Sequence, residues 1–503
     1  MFAALGGLSA LAYLAFYFIG DLRVHLTAFW LIDGLLFLLY ATGIVLLAHP
    51  SKAFPGNGTY LHSNGQTTGG KLLYIILGGA VLFRLVMVWS YPYLSDDIFR
   101  YIWDGRVWSS GINPYLYAPS HPSLNFLRDN DIFASLNHKA IPTIYGPVLQ
   151  FLFRAAYGLG SSIYIYKVMM VVFDIGTLAI LLLLIKKVGL PATSIFIYAW
   201  NPLVIIEFAG SGHADAIGVF FLVLFFYFLA RGKVFTSAFA LIATTLTKFV
   251  PILLLPFALF RWRSRKAVVF LGWAAVIIFA LFWPFHEAGT KIFDGLRIFA
   301  QKWQFNASLF QLVFVTIKKA LPESRIVAQV VANHMFPDAQ TLASTRIDIA
   351  LWLAKEFWAA IFVLIYSVLL IYFARRKKQD PLQIIKIWLL LFGTMSMITS
   401  TLHPWYLAWL IPALVFFPIR AWLLLSATIT LSYFSLHEYF LTGIWQERLI
   451  VKLFVFVPFY VTLLWELIGW RGRRNAISTA ELHAHGNLAG GRMKQPAGAQ
   501  IDQ

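Results

Sequence analysis

The chain alternates runs of about 17 to 25 apolar residues with short turns that carry lysine or arginine. Few folds accept that pattern. A soluble protein of 503 residues that is 60% hydrophobic and 12% charged, with a mean hydropathy of +0.73, would leave far too much apolar surface in water. In a bilayer every backbone polar group must be satisfied by the spanning structure itself. Uninterrupted apolar runs therefore predict helices and not the alternating strands of a barrel. The sequence predicts an all-α polytopic membrane protein.

Candidate spans cover residues 4–20, 25–48, 72–92, 163–185, 191–209, 214–230, 267–285, 350–373, 383–400, 405–419, 421–436 and 449–470. The run 234–260 is different. Thr247-Lys248 and Pro251 interrupt it, and both of its ends are basic, with Arg231 and Lys233 before it and Arg261, Arg263, Arg265 and Lys266 after it. Two ends on one side predict a hairpin of half-helices that carries Lys248 deep into the protein. Basic loops face the cytoplasm, which puts these ends there together with Lys186-Lys187, Arg375 to Lys378, Arg471, Arg473, Arg474 and both termini. The predicted architecture is a bundle of about 12 to 14 transmembrane or half-membrane helices. Segments 93–144 and 286–349 become two large extracytoplasmic loops, the second carrying Phe293, Trp303 and Phe305 among charges, as interfacial amphipathic helices do. Residues 145–160 are apolar but too short to span. Residues 1–474 read as one integral membrane domain, and 475–503 as a disordered cytoplasmic tail without apolar periodicity.

The net charge of +18 follows from the basic loops and does not point to nucleic acid. Cysteine is absent, which excludes disulfides, thiol catalysis and iron–sulfur ligation. The first apolar run lacks a basic leader and reads as an uncleaved helix. No internal repeat is evident.

Charged residues that do not fit lipid packing carry the functional information. Asp96 and Asp97 follow an apolar run and open the first outer loop. Two adjacent carboxylates belong at a membrane surface, where one can take a proton from a hydroxyl or hold a cation. Ser95-Asp96-Asp97 is equally good chemistry for capping a helix, and spacing alone does not separate the two. On a helix starting there, Asp97, Arg100, Tyr101 and Asp104 fall on one side. Lys248 lies about 13 residues from either basic end, roughly 20 Å along a helix and beyond the reach of a snorkelling lysine. An intramembrane lysine faces a partner or a cavity. Arg84 has two possible partners, Asp174 and Asp33, and Lys167 shares a helix face with Asp174. Glu207, His213 and Asp215 surround a Gly210-Ser-Gly212 turn without any compact zinc spacing. His403-Pro404-Trp405-Tyr406 sits at another outer turn, where aromatic residues also occur for purely interfacial reasons.

The stretch from Ser95 to Arg106, followed by Gly111-Ile-Asn-Pro-Tyr115, resembles the first-loop motif of GT-C glycosyltransferases. These are multi-span enzymes that take sugars from polyprenyl phosphates. The likeness extends to bacterial polyprenyl-phosphate-mannose-dependent α-mannosyltransferases and to glycosyltransferase family 87. Trp200-Asn-Pro202 with Gly212-His213-Ala-Asp215, then Thr247-Lys248 with Pro251, then His403-Pro-Trp405-Tyr406-Leu-Ala-Trp409 agree with it in order and placement. The resemblance implies an inverting hexosyltransferase, expected to move mannose to a glycan or glycolipid on the outer face of a bacterial inner membrane. It implies an acidic general base in the first loop, carried here to Asp97, with Asp96 as the competing choice. Arg100, Tyr101, Asp104, Arg106, Lys248, His213, Asp215, His403, Trp405 and Tyr406 are then the expected substrate contacts. A divalent cation, Mg²⁺ or Mn²⁺, would be held by Asp96 and Asp97 if one is needed. The rival expectation is a flippase or transporter of a lipid-linked glycan, since Arg84, Lys167, Asp174 and Lys248 would suit a polar pathway.

Overall fold

The computed structural model describes residues 1–48, 66–262, 265–321, 346–376 and 380–490. Regular structure among the described residues is helical, with one isolated bridge between Phe305 and Thr401 in place of any sheet. Seven helices are long and apolar enough to cross a membrane: Phe2–Ile19, Leu26–Ala48, Gly70–Met87, Ile163–Val188, Arg265–Lys302, Ile347–Ala374 and Leu449–Gly469. An eighth candidate is the pair Ala192–Ala199 and Pro202–Gly210, bent by 60°. The chain is an all-α polytopic membrane protein.

The remaining apolar runs are shorter or irregular. Asp215–Ala230, Val234–Thr245, Val250–Trp262 and Leu382–Ile398 are short apolar helices. The runs expected at 405–419 and 421–436 resolve into brief pieces, among them the 3-10 segments Pro404–Trp409 and Ile429–Tyr433. Proline at 404 and 412 removes ladder donors, and nearly every residue from Leu407 to Val415 is buried in protein. Irregular backbone at membrane depth is tolerated only under such cover.

Polar residues inside the bundle repair the breaks. The bend between Ala199 and Pro202 frees backbone carbonyls. Arg84 Nη1 donates to Ala199 O at 2.8 Å and to Ala80 O at 3.0 Å. Its Nε donates to Asp174 Oδ2 at 2.6 Å, while Tyr198 Oη donates to Asp174 Oδ1 at 2.7 Å. Of the two partners open to Arg84, Asp174 takes it. Asp33 instead accepts from Thr430 Oγ1 at 2.8 Å. Lys167 donates to Met87 O at 3.1 Å and to Ser90, closing the C-terminal end of the Gln66–Met87 helix. Arg84 and Lys167 thus bond free carbonyls at helix ends.

The segment 234–262 doubles back. The helix Val234–Thr245 ends before Lys248 and a second helical stretch begins at Val250. At the far end, Arg261 Nε donates to Leu229 O at 3.4 Å, next to where the segment began. Lys248 thus lies in the turn of a hairpin.

Of the two segments expected to be outer loops, 93–144 contains the helix Asp97–Ser109. The stretch Arg265–Lys302 is kinked at Gly289, within the 3-10 segment Trp283–Phe293, so the segment 286–349 carries the helices Asp294–Lys302 and Leu309–Ala320; its residues 322–345 lie outside the described residues. The final helix runs from Leu449 to Gly490, well into the tail expected to be disordered. Ala480, Glu481, Leu482 and Ala484 favour helix locally even without an apolar face to bury. Residues 491–503 lie outside the described residues.

Candidate active site

Four helix interruptions meet around one cavity of about 490 Å³. Polar lining residues come from the start of the Asp97–Ser109 helix (Asp97, Tyr101), the start of Asp215–Ala230 (Asp215), the hairpin turn (Thr247, Lys248) and the segment Pro404–Trp409 (Trp405, Tyr406, Trp409), and Lys355, Ser396, Thr399, Ser400 and Thr401 add polar groups from the other side. Much of its apolar lining, including Phe299, Phe310, Trp358, Phe362, Phe392 and Met395, lies on the helices that follow residue 294. Helix N-termini carry partial positive charge and suit carboxylates, which accounts for an aspartate opening two of these helices.

Asp97 is half-buried on the cavity wall. Asn137 Nδ2 donates to its Oδ1 at 3.4 Å, and its own N–H donates to Ser95 Oγ at 3.3 Å. Asp96 occupies the N-cap position but makes no side-chain cap. It is not among the cavity-lining residues; its side chain lies 4.0 Å from Arg23 Nη1. Burial raises the Asp96 carboxyl above its ordinary pKa, with Arg23 opposing and Asp97 and Asp21 adding to the rise.

Lys248 and Asp215 form the second element of the site. Lys248 Nζ donates to Asp215 Oδ1 at 2.7 Å and stands 3.4 Å above the centre of the Tyr406 ring. Trp409 Nε1 donates to the same Asp215 oxygen at 2.6 Å. The ammonium is therefore aimed by a carboxylate and an aromatic face, and retains donors for another anion.

Rings stack behind this pair. His213 lies 3.9 Å from Trp405, Trp405 4.3 Å from His403, and His403 4.6 Å from Phe305, each nearly parallel. His213 and His403 thus meet at the cavity wall, although neither lines the cavity itself. Burial would lower the His213 imidazole, but Glu207, whose Oε2 is 3.1 Å from Nδ1, outweighs it and holds the pKa above its ordinary value. Tyr433 Oη donates to the other Glu207 oxygen at 2.6 Å. His403 moves the opposite way. Burial pushes it well below the usual histidine range, helped by Lys248, His213 and His138.

Three expected substrate contacts are placed differently. Arg100 Nε pairs with Asp104 Oδ1 at 2.9 Å and not with Asp97, and Arg100 Nη1 donates to Ile141 O at 3.1 Å. Asp104 also accepts from Thr143 Oγ1 at 2.5 Å and from Gln150 Nε2 at 3.0 Å. Arg106 pairs with Asp129 at 2.6 Å and donates to Leu127 O at 2.9 Å. All three fasten the loop 127–150 to the helix carrying Asp97, and none lines the cavity. Tyr101 does line it, and its hydroxyl accepts from the Ala214 N–H at 3.3 Å, tying that helix to the segment before Asp215.

Sequence reasoning passed over Lys355, Asn137 and the indole of Trp409. Lys355 lines the cavity, and its ammonium donates to Ala300 O at 2.7 Å and Gln301 O at 2.8 Å near the end of the Asp294–Lys302 helix. The signal was present: like Lys248, it is a lysine within an apolar run. Among the described residues, no group of three or more His, Asp or Glu is arranged to hold a metal ion.

The hairpin turn has little room to move. Gly146 precedes the helix Pro147–Leu159, and a Cβ on it would lie 2.1 Å from Leu246 O, backbone against side chain. Gly146→Ala must push the turn that carries Lys248 aside. We expect it to cost about 1–3 kcal/mol, read as a lowered Tm in detergent, together with a loss of activity.

Residues 62–264, about two-fifths of the chain, match the family model described as "Alpha-(1->6)-mannopyranosyltransferase, N-terminal domain". The match spans Asp97, Asp215 and Lys248 and stops before the His403–Trp409 segment. No curated protein and no solved structure matches the chain. Over that stretch the chain is similar to an α-mannosyltransferase family, which supports reading it as a glycosyltransferase.

Proposed function

We propose that the protein transfers mannose from a polyprenyl phosphate to a glycan or glycolipid acceptor on the extracytoplasmic face of the membrane. The observation that carries this reading is the two-sided cavity, in which a carboxylate and a held ammonium stand beside an aromatic, apolar wall. A sugar on a lipid phosphate has three parts: an isoprenoid chain, an anionic phosphodiester link that gains a second charge as the sugar leaves, and a polar hexose. An apolar wall, a lysine and an acid answer them in turn.

In this mechanism Asp97 takes the proton of the acceptor hydroxyl while that oxygen attacks the anomeric carbon. The bond from that carbon to the phosphate oxygen breaks, and its electron pair leaves with polyprenyl phosphate. Attack and departure occupy opposite faces, so configuration inverts. Lys248, aimed by Asp215, meets the charge that grows on the leaving phosphate. Trp405, stacked between His213 and His403, presents its edge to the sugar, and Tyr406, with Lys248 over one face of its ring, helps to place the ammonium. A Mg²⁺ or Mn²⁺ ion is a second means of neutralising the phosphate. Of the two carboxylates that would hold such an ion, Asp97 lines the cavity while Asp96 lies against Arg23, which favours the lysine.

The test uses purified protein with radiolabelled polyprenyl-phosphate-mannose and a membrane extract as acceptor source. A new glycosidic bond supports the proposal, and a parallel reaction with EDTA reads the metal. Movement of labelled lipid across a vesicle membrane without bond formation would establish the transporter instead. Lys248→Met is expected to lower kcat about a hundredfold, as loss of one preorganised transition-state contact does. Unchanged turnover in that variant would remove Lys248 from the phosphate site.

A further inference from the structure

The paired carboxylates at 96 and 97 serve two different surfaces. Asp97 faces the cavity, whereas the Asp96 side chain is 42% exposed, caps no helix, and has its nearest cation at 4.0 Å. Its oxygens are left for a ligand. The surroundings are fixed by three separate elements. Arg23, from the turn after the first helix, is held by Asp21 through contacts of 3.1 and 2.8 Å. The Arg23 guanidinium lies 4.3 Å over the ring of Phe440 and 5.9 Å from that of Tyr93. Tyr91, 42% exposed, packs on Tyr93 with ring centres 4.7 Å apart.

An accessible carboxylate, an immobilised guanidinium and an exposed ring are complementary to a pyranose. Carboxylate and guanidinium pair with neighbouring hydroxyls, and the ring accepts the sugar's C–H face. We propose that Asp96, Arg23 and Tyr91 form a subsite for a hexose of the acceptor glycan, one residue away from the base. The proposal rests on the preceding reading that the acceptor is a glycan. Rings at a membrane surface can instead anchor lipid headgroups. Two carboxylates against one arginine disfavour an anionic headgroup, and simple anchoring requires neither of them.

The experiment measures steady-state kinetics with two acceptors, an α-linked mannotrioside and octyl α-mannoside. Asp96→Asn and Tyr91→Ala should raise KM for the trioside about tenfold more than KM for the short acceptor, the effect of one lost charged hydrogen bond or ring contact. Equal changes for both acceptors, no change for either, or a loss confined to kcat would overturn the subsite. A defect seen in anionic bilayers but not in detergent would assign the patch to headgroups and likewise overturn it. If the wild type glycosylates neither acceptor, it is the functional reading that fails. Saturation-transfer NMR of the trioside on wild type and on Asp96→Asn still decides the subsite, with loss of transfer in the variant supporting it and equal transfer refuting it.

Discussion

Asp97→Asn is expected to lower kcat about a thousandfold, within the 10² to 10⁴ range of a general base. The substitution is nearly isosteric, and the amide oxygen can still accept from Asn137, whose Nδ2 lies 3.4 Å from Oδ1 in the native protein. What the variant loses is the capacity to take a proton. Its Tm should therefore stay close to wild type, and donor binding should survive, because Lys248 and the apolar wall are untouched. Asp96→Asn is the companion measurement. Its carboxylate points toward Arg23 and away from the cavity, so its effect on kcat should be far smaller. Should Asp97→Asn retain more than about a tenth of wild-type turnover, no proton-transfer role for Asp97 is tenable.

Lys248 and the first-loop acids were legible in the sequence because their cost is visible there. A lysine amid apolar residues needs a reason, and basic ends on both sides of 234–260 left only a hairpin to supply one. The partner was less legible. Asp215 lies 33 residues away, and only the fold brings its carboxylate within 2.7 Å of the ammonium. Arg100, Asp104 and Arg106 show where pattern reading stops. Every residue from Ile98 to Trp108 is buried, so the Asp97–Ser109 helix has no solvent face from which to infer which side meets the site. An i,i+4 ion pair reads identically whether it lines a cavity or fastens a loop. The apolar runs at 405–436 mislead for the opposite reason. Their hydropathy is that of a span, yet protein surrounds them, so bends and 3-10 turns carry no lipid penalty there. Arg84 falls between these cases. Its need for a partner was evident, and the choice of Asp174 over Asp33 depended on which helix packs alongside.

That ion pair gives the second large effect. Arg84→Met would leave Asp174 as a buried, unpaired charge, and both side chains are fully inaccessible in the native protein. Breaking one partner of a buried pair costs about 3–5 kcal/mol, and lipid surroundings offer no water to reduce it. The damage also reaches beyond the charge, since Ala199 O at the 60° bend loses the donor that closes it. We expect the variant to unfold at a markedly lower denaturant concentration in detergent, with activity lost in step with folded protein and not through kcat. The double variant Arg84→Met with Asp174→Leu separates the two contributions. Removing the stranded carboxylate should restore most of the stability, because apolar replacements of buried pairs are often close to neutral. Recovery should remain incomplete, as Tyr198 Oη and Ala199 O have then both lost their partners. Full stability in Arg84→Met alone would mean that Asp174 is neutral in the native state, and that hydrogen bonds without charge hold the bend.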